Sequence, residues 1–259
     1  MREAASNRNT MSETFDDYAL FLDFDGTLVD IAERPEAVQV DPAVPGILRQ
    51  LEERLGGALA IISGRPVAFL DQHLAPHRFD MAGLHGLEHR INHELHQCDP
   101  DEHPDLRAMI ERLAGIVAEK NGVLIEDKGC SVAIHWRLAP QEKEFALATA
   151  QSAVEALGSD YRVQYGKAVA EILPSAAGKG KVIERFLQQA PYRGRRPIFV
   201  GDDLTDENGF KAVNAQGGLS IRIGAGDTIA QIRLGTPSDL RHSLSVWASE
   251  GTLPFSRGN

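Results

Sequence analysis

Cysteine is nearly absent: Cys98 and Cys130 are the only two in 259 residues. Two are too few for a disulfide framework or for a zinc site built from cysteines, so a reducing compartment, the cytoplasm, is the expected location. Positive charge is also scarce, with 27 Lys and Arg against 37 Asp and Glu and a net charge of −10. That balance argues against nucleic acid as a partner, because such binding rests on a basic face that neutralises phosphates. A small anionic substrate needs only a local positive site. The first seventeen residues lack an apolar run and carry Arg2, Arg8, Glu13, Asp16 and Asp17, so they form neither a signal peptide nor a membrane span and read as a disordered leader. The remainder is ordinary for a soluble globular chain, and its length suits one large or two smaller domains. A monomer with no membrane partner is the expectation.

The stretch Phe21-Leu22-Asp23-Phe24-Asp25-Gly26-Thr27-Leu28 stands out against this background. The apolar run Tyr18 to Leu22 has the length and composition of a fully buried strand, and it ends in two carboxylates. In open parallel α/β sheets ligands bind beyond the carboxyl ends of the strands, so Asp23 and Asp25 sit where chemistry is expected. Gly26 lets the chain turn away without a side chain blocking the site. Two acids this close repel unless a positive charge lies beside them. Hard oxygen donors with no neighbouring histidine or cysteine suit Mg²⁺.

Along the chain, strands and helices alternate. Asp41-Pro42 reads as an N-cap and first helical residue, followed by Val44, Ile47, Leu48, Leu51 and Leu55 at helical spacing. Ala58 to Ile62 is a buried strand ending in Ser63-Gly64-Arg65, and a helix begins near Pro66. Asp80 to Gly86 is a further strand leading into a polar hairpin around Arg90 to Gln97. His85, His89, His93 and His96 do not make a zinc site, because Gly83 and Gly86 disfavour the helix that would align them. From Pro104 the rhythm changes to helix, strand, strand, given twice: a helix through Leu113, strands Gly122 to Asp127 and Ser131 to Arg137, a helix from Gln141 to Leu157, then strands Arg162 to Gln164 and Ala168 to Leu173. This is an α+β module with an antiparallel sheet, inserted into the parallel domain. The first rhythm returns at Gly178-Lys179-Gly180-Lys181, which lacks the remaining residues of a P-loop. The strand Pro197 to Val200 ends in a second acidic tip, Gly201-Asp202-Asp203-Leu204-Thr205-Asp206-Glu207, and Thr205 or Asp203 can cap the helix after it. Leu219 to Ile223 is a last strand and Asp239 to Ala248 a closing helix.

The ordered set Asp23/Asp25, Ser63, Lys179 and Asp202/Asp203 resembles the four motifs of the haloacid dehalogenase (HAD) superfamily of phosphatases over nearly the whole chain. That resemblance implies an α/β, Rossmannoid parallel-sheet core at 18–103 and 175–259, with an inserted C2-type α+β cap domain at 104–174. It implies Asp23 as nucleophile, Asp25 as general acid and base, and Ser63 and Lys179 holding the transferring phosphoryl group. Mg²⁺ is expected on the Asp23 carboxylate, the Asp25 main-chain carbonyl and Asp202, with Asp203 and Asp206 behind them orienting Lys179 and metal-bound water.

The inserted module narrows the substrate. Ile125-Glu126-Asp127-Lys128-Gly129, Ala133-Ile134-His135-Trp136-Arg137 and Glu171-Ile172-Leu173-Pro174, with Gly83-Leu84-His85-Gly86, look like the trehalose-6-phosphate phosphatase family. The likeness implies Glu126, Lys128 and Glu171 as readers of glucose hydroxyls, with Arg65 and His85 also on the substrate. Carboxylates and an ammonium suit vicinal hydroxyls through charge-assisted hydrogen bonds. Ala176-Ala177-Gly178 before Lys179 departs from the family, where a polar residue such as asparagine is often seen. Sucrose phosphate, mannosylglycerate phosphate and hexose phosphates remain rival substrates, and a catalytically silent sugar-phosphate sensor is a rival class.

Overall fold

The computed structural model describes residues 15–32, 37–251 and 253. The apolar run becomes β1 (Tyr18–Leu22), buried at all five positions. It is followed in order by α1 (Val44–Arg54), β2 (Leu59–Ile62), α2 (Val67–His73) and β3 (Asp80–Gly83). The polar hairpin is β4 (Glu88–Ile91) and β5 (Glu94–Gln97). Next come α3 (Pro104–Val117), β6 (Leu124–Asp127), β7 (Val132–His135), α4 (Lys143–Leu157), β8 (Tyr161–Gly166) and β9 (Val169–Pro174). The chain closes with α5 (Lys179–Leu187), β10 (Arg196–Gly201), α6 (Glu207–Ala215), β11 (Leu219–Ile223), β12 (Ile232–Leu234) and α7 (Pro237–Glu250).

Eight strands form one sheet in the order β12-β11-β10-β1-β2-β3-β4-β5. The six from β12 to β3 are parallel, and β4 and β5 add on antiparallel. Parallel strands buried by helices on both faces must be apolar throughout, which is why β1, β2 and β10 read as continuous hydrophobic runs. Because β1 lies between β2 and β10, the tips of all three open on the same edge. Residues far apart in sequence, Asp23, Ser63 and Asp202, are thereby made neighbours.

The second sheet has the order β6-β7-β9-β8 and is antiparallel. Alternate residues Val132, Ile134, Ala170 and Ile172 pack with Leu106, Leu113, Ala146 and Ala150 of α3 and α4 in their own apolar cluster. The period of two then fixes the other face. Register aligns Glu126 with Ala133 and Ala133 with Glu171, and Glu171 in turn with Gln164, so these face away from the helices.

Several expectations are corrected. Asp41 does not cap α1: its carboxylate accepts the Ala43 amide at 2.9 Å in a turn before the helix, which starts at Val44 with Pro45 in its first turn. The polar hairpin is the antiparallel continuation of the main sheet, and Arg90 within it is buried against Asp71, with bonds of 2.8 and 2.6 Å. β12 is a three-residue edge strand too short to show a pattern. Of the expected leader, residues 1–14 lie outside the described residues, whereas Phe15–Asp17 form a 3-10 turn with Phe15 stacked on Trp247 at 5.4 Å. Cys98 and Cys130 are joined in a disulfide. Sequence spacing carries no sign that the end of β5 and the turn after β6 meet.

Candidate active site

Gly26 makes the tip of β1 possible. Its φ is +76°, and a Cβ there would collide with the Asp202 carboxylate, so the close approach of two acidic strand ends requires glycine. Gly201 plays the same part for Asp206, whose side chain occupies the space of the missing Cβ.

Asp23 is buried. Its Oδ1 accepts from Lys179 Nζ at 2.7 Å, and its Oδ2 accepts from the Thr27 hydroxyl at 3.2 Å. Lys179 opens α5 and also donates to Asp206 Oδ1 at 2.5 Å. The other oxygen of Asp206 accepts the Asp202 and Asp203 amides at 3.0 and 2.9 Å. One fully buried carboxylate thus fixes both the lysine and the turn carrying Asp202. Asp203 accepts the Thr205 amide at 2.8 Å and caps the 3-10 turn Leu204–Asp206, whereas α6 itself, which follows, has no side-chain cap from either Thr205 or Asp203.

Asp23, Asp202 and Asp206 each offer an oxygen within 4.8 Å of the others. Burial raises the Asp23 pKa well above the usual carboxylate range, and the Asp206 and Asp202 charges add to this against the opposing pull of Lys179. Burial and Asp206 likewise push Asp202 up to about 6. Lys179 is shifted the other way: burial alone would lower it, but the carboxylates of Asp206 and Asp23 hold it protonated, above its ordinary value. Three carboxylates therefore share one ammonium, an imbalance that a divalent cation relieves. The donors are hard oxygens throughout, and they fit such an ion. Among the described residues a cysteine–histidine cluster lies elsewhere, at Cys98, His103 and Cys130.

Asp25 is engaged differently. Arg65 grips it with both prongs, at 2.8 and 2.7 Å, while stacking over Phe69 at 4.5 Å. Its side chain is committed, leaving the main-chain carbonyl as the donor assigned to it from sequence. Ser63 follows β2 and is buried, and its hydroxyl accepts the Arg65 amide at 3.1 Å.

These groups floor a cleft of about 330 Å³. Its other wall comes from the second sheet, with Arg137, Gln164, Tyr165, Lys167 and Glu171 lining it. Glu171 is buried and accepts from Ser131 Oγ at 2.7 Å, with Lys128 Nζ 3.4 Å away. Burial would raise its pKa, but the charge His85 takes on in acid, the Lys128 ammonium and the Ser131 hydroxyl together bring it below the usual value. His85 sits after β3 with φ of 56°, its Nε2 3.5 Å from Glu171 and its buried Nδ1 without a partner. Burial drives its pKa down to about 4, helped by Lys179 and Lys128 against Glu171, so its imidazole is neutral at pH 7.

Of the residues named from sequence, Asp23, Asp25, Ser63, Arg65, His85, Glu171, Lys179, Asp202 and Asp203 line one cleft. Asp206 lies behind Lys179, and Lys128 behind Glu171. Glu126 is outside that lining but joined to it: it shares the face of Glu171 two strands away, Lys128 Nζ lies 3.9 Å from Glu126 and 3.4 Å from Glu171, and Glu126 bonds His135 at 2.8 Å. Sequence reasoning missed Thr27 and Ser131 as site residues, and on the second sheet Gln164, Tyr165, Gly166, Lys167 and Val169, while Arg137 lay in a segment singled out without a role of its own. Thr27 was legible as part of the Asp-x-Asp-Gly-Thr run. Gln164 was reachable only through its register with Glu171, and Tyr165 and Lys167 carried no sequence signal.

Three comparisons bear on this geometry. The trehalose-phosphatase family pattern matches residues 21–237. A "Probable trehalose-phosphate phosphatase" of Sinorhizobium fredii (strain NBRC 101917 / NGR234) is 45% identical over 223 residues, 83% of this chain and 81% of that protein. The "Trehalose-6-phosphate phosphatase" of Escherichia coli (strain K12) is 42% identical over 225 residues, 86% of this chain and 84% of that protein. Among solved structures, a phosphatase of the HAD superfamily from Bacteroides thetaiotaomicron superposes with a TM-score of 0.62 at 16% identity, covering 95% of this chain and 99% of that one. At that identity the likeness is one of fold, and it gives the chain the HAD-like α/β architecture.

Proposed function

Since the chain belongs to the trehalose-phosphatase family, we propose that it hydrolyses trehalose 6-phosphate to trehalose and phosphate through a phosphoaspartate on Asp23. The observation that carries this reading is the opposition, across one cleft, of an acid-and-lysine floor and a carboxylate wall at Glu171.

Phosphate monoesters are among the slowest of uncatalysed hydrolyses, and their catalysis asks for about 20 kcal/mol or more of barrier lowering, beyond the reach of one group. Asp23 attacks phosphorus and the bond to the sugar oxygen breaks, turning one hard step into two. Asp25 gives a proton to the departing oxygen, then takes one from the water that attacks the phosphoaspartate and releases phosphate. In the present geometry Arg65 holds Asp25. A phosphoryl group arriving at the same guanidinium competes for its prongs and frees the carboxyl for this exchange. Lys179, fixed by Asp206, and Ser63 stabilise the transferring oxygens. Residues 104–174 act as a cap that excludes water from the phosphoaspartate. Glu171 and Glu126, with Lys128 between them, bind sugar hydroxyls. Asp23, Asp202 and the Asp25 carbonyl would hold Mg²⁺, which when bound offsets the charge of two approaching anions.

Phosphate release from trehalose 6-phosphate, glucose 6-phosphate and sucrose 6-phosphate tests the reading. We expect preference for trehalose 6-phosphate, loss of turnover in EDTA and recovery with excess Mg²⁺. Equal turnover of glucose 6-phosphate, or full activity in EDTA, contradicts it.

A further inference from the structure

A second set of reactive side chains lies where the eight-stranded sheet meets the β6–β9 sheet. Cys98 follows β5, its amide donating to Leu87 O at 2.9 Å, and Cys130 occupies the turn between β6 and β7. The bond joins residues 32 positions apart and closes a covalent loop around the first passage between the sheets, including α3 and β6. Cys130 is buried, and its neighbours in the turn are the groups that hold Glu171. Lys128 N donates to Ser131 O at 3.0 Å and Cys130 N to Lys128 O at 3.2 Å. Lys128 and Ser131 then meet the two oxygens of Glu171. The tie to the main sheet therefore reaches the cleft wall through one short turn. Cys98 is only half-buried, and a cavity of about 150 Å³ lined by Leu87, Gln97, Pro100 and Gly129 borders the bond, giving a small thiol a route to it.

We propose that Cys98–Cys130 is a reversible clasp, opened by an external dithiol, that sets the affinity of the Lys128–Glu171 wall for the sugar half of the substrate. This rests on the substrate reading above. A thiolate of the dithiol attacks the Cys98 sulfur, the S–S bond breaks, and Cys130 leaves as a thiolate that takes a proton from water. The second thiol of the reagent then displaces Cys98, so the protein gains two thiols and the reagent becomes a disulfide. Without the tie the turn keeps its own backbone bonds and the hold of Arg107 on Asp127 but loses its link to the main sheet, and ordering Lys128 becomes a cost of binding.

The test uses the intact enzyme with and without dithiothreitol. Thiols are counted by mass spectrometry, and KM and kcat are measured for trehalose 6-phosphate and for p-nitrophenyl phosphate, an ester with no sugar. We expect no free thiol before reduction and two after it. Reduction should raise KM for trehalose 6-phosphate about fivefold, the scale of immobilising one long side chain, and leave KM for the aryl ester unchanged. Cys98→Ser and Cys98→Ala should both reproduce the reduced value and ignore dithiothreitol. Two free thiols in the air-exposed enzyme, or one KM in both redox states, overturns the clasp. So does stoichiometric zinc retained by the reduced enzyme, since His103 has a nitrogen within 4.8 Å of both sulfurs. Failure of the substrate reading looks different: no turnover of trehalose 6-phosphate in either redox state, with the aryl ester still hydrolysed.

Discussion

His85 is held in an environment far from water. Its imidazole side chain is 13% exposed, and burial holds its pKa near 4, against 6.5 for the free group. Between those values the unfolded chain binds a proton that the folded chain refuses. Stability is therefore full above pH 6.5 and declines as pH falls toward 4, by up to about 3 kcal/mol from this group. Urea melts of the wild type and of His85→Asn, which tolerates positive φ, should show that extra slope in the wild type alone. Parallel curves would mean that His85 is not neutral in the fold. The same residue marks the reach of sequence reading. Its place near the site was legible from its position after an apolar strand, whereas its contact with Glu171 depends on two sheets meeting. The grip of Arg65 on Asp25 is likewise invisible in sequence, since it joins residues 40 apart.

Elements buried on both faces were read closely. Tyr18–Leu22 and, within one residue, Leu59–Ile62 fall where their apolar runs place them, because nothing but continuous hydrophobicity suits the middle of a covered parallel sheet. Elements at edges were read less well: β12 has three residues, and the β4–β5 hairpin is too polar to reveal that it extends the sheet. The turn after β1 is where element and chemistry depend most on each other. Gly26→Ala forces a side chain into the left-handed region and against Asp202, at a cost of about 1–2 kcal/mol in strain. Displacing Asp202 should also raise the Mg²⁺ concentration for half-maximal activity about tenfold or more. A metal titration that matches the wild type would show that the two acidic tips do not act together.

At the scale of the molecule, two apolar clusters support two sheets, and the cleft lies between floor and wall contributed by each. The order of the acidic, serine and lysine tips made the first of these legible, and the repeated helix-strand-strand rhythm the second. The disulfide that ties them was not expected, because two cysteines are too few to signal a framework and their spacing of 32 residues does not show that they meet. No helix among the described residues is long and apolar enough to cross a membrane. Asp23 is set among Lys179, Thr27 and two further carboxylates at the bottom of the cleft. The most direct measurement is to mix enzyme, Mg²⁺ and trehalose 6-phosphate, quench in acid within the first turnover, and locate any phosphoryl adduct by peptide mass spectrometry. The account predicts the adduct on Asp23, with neither adduct nor turnover in a folded Asp23→Asn variant. An adduct on another residue, or near-normal phosphate release by that variant, would contradict it.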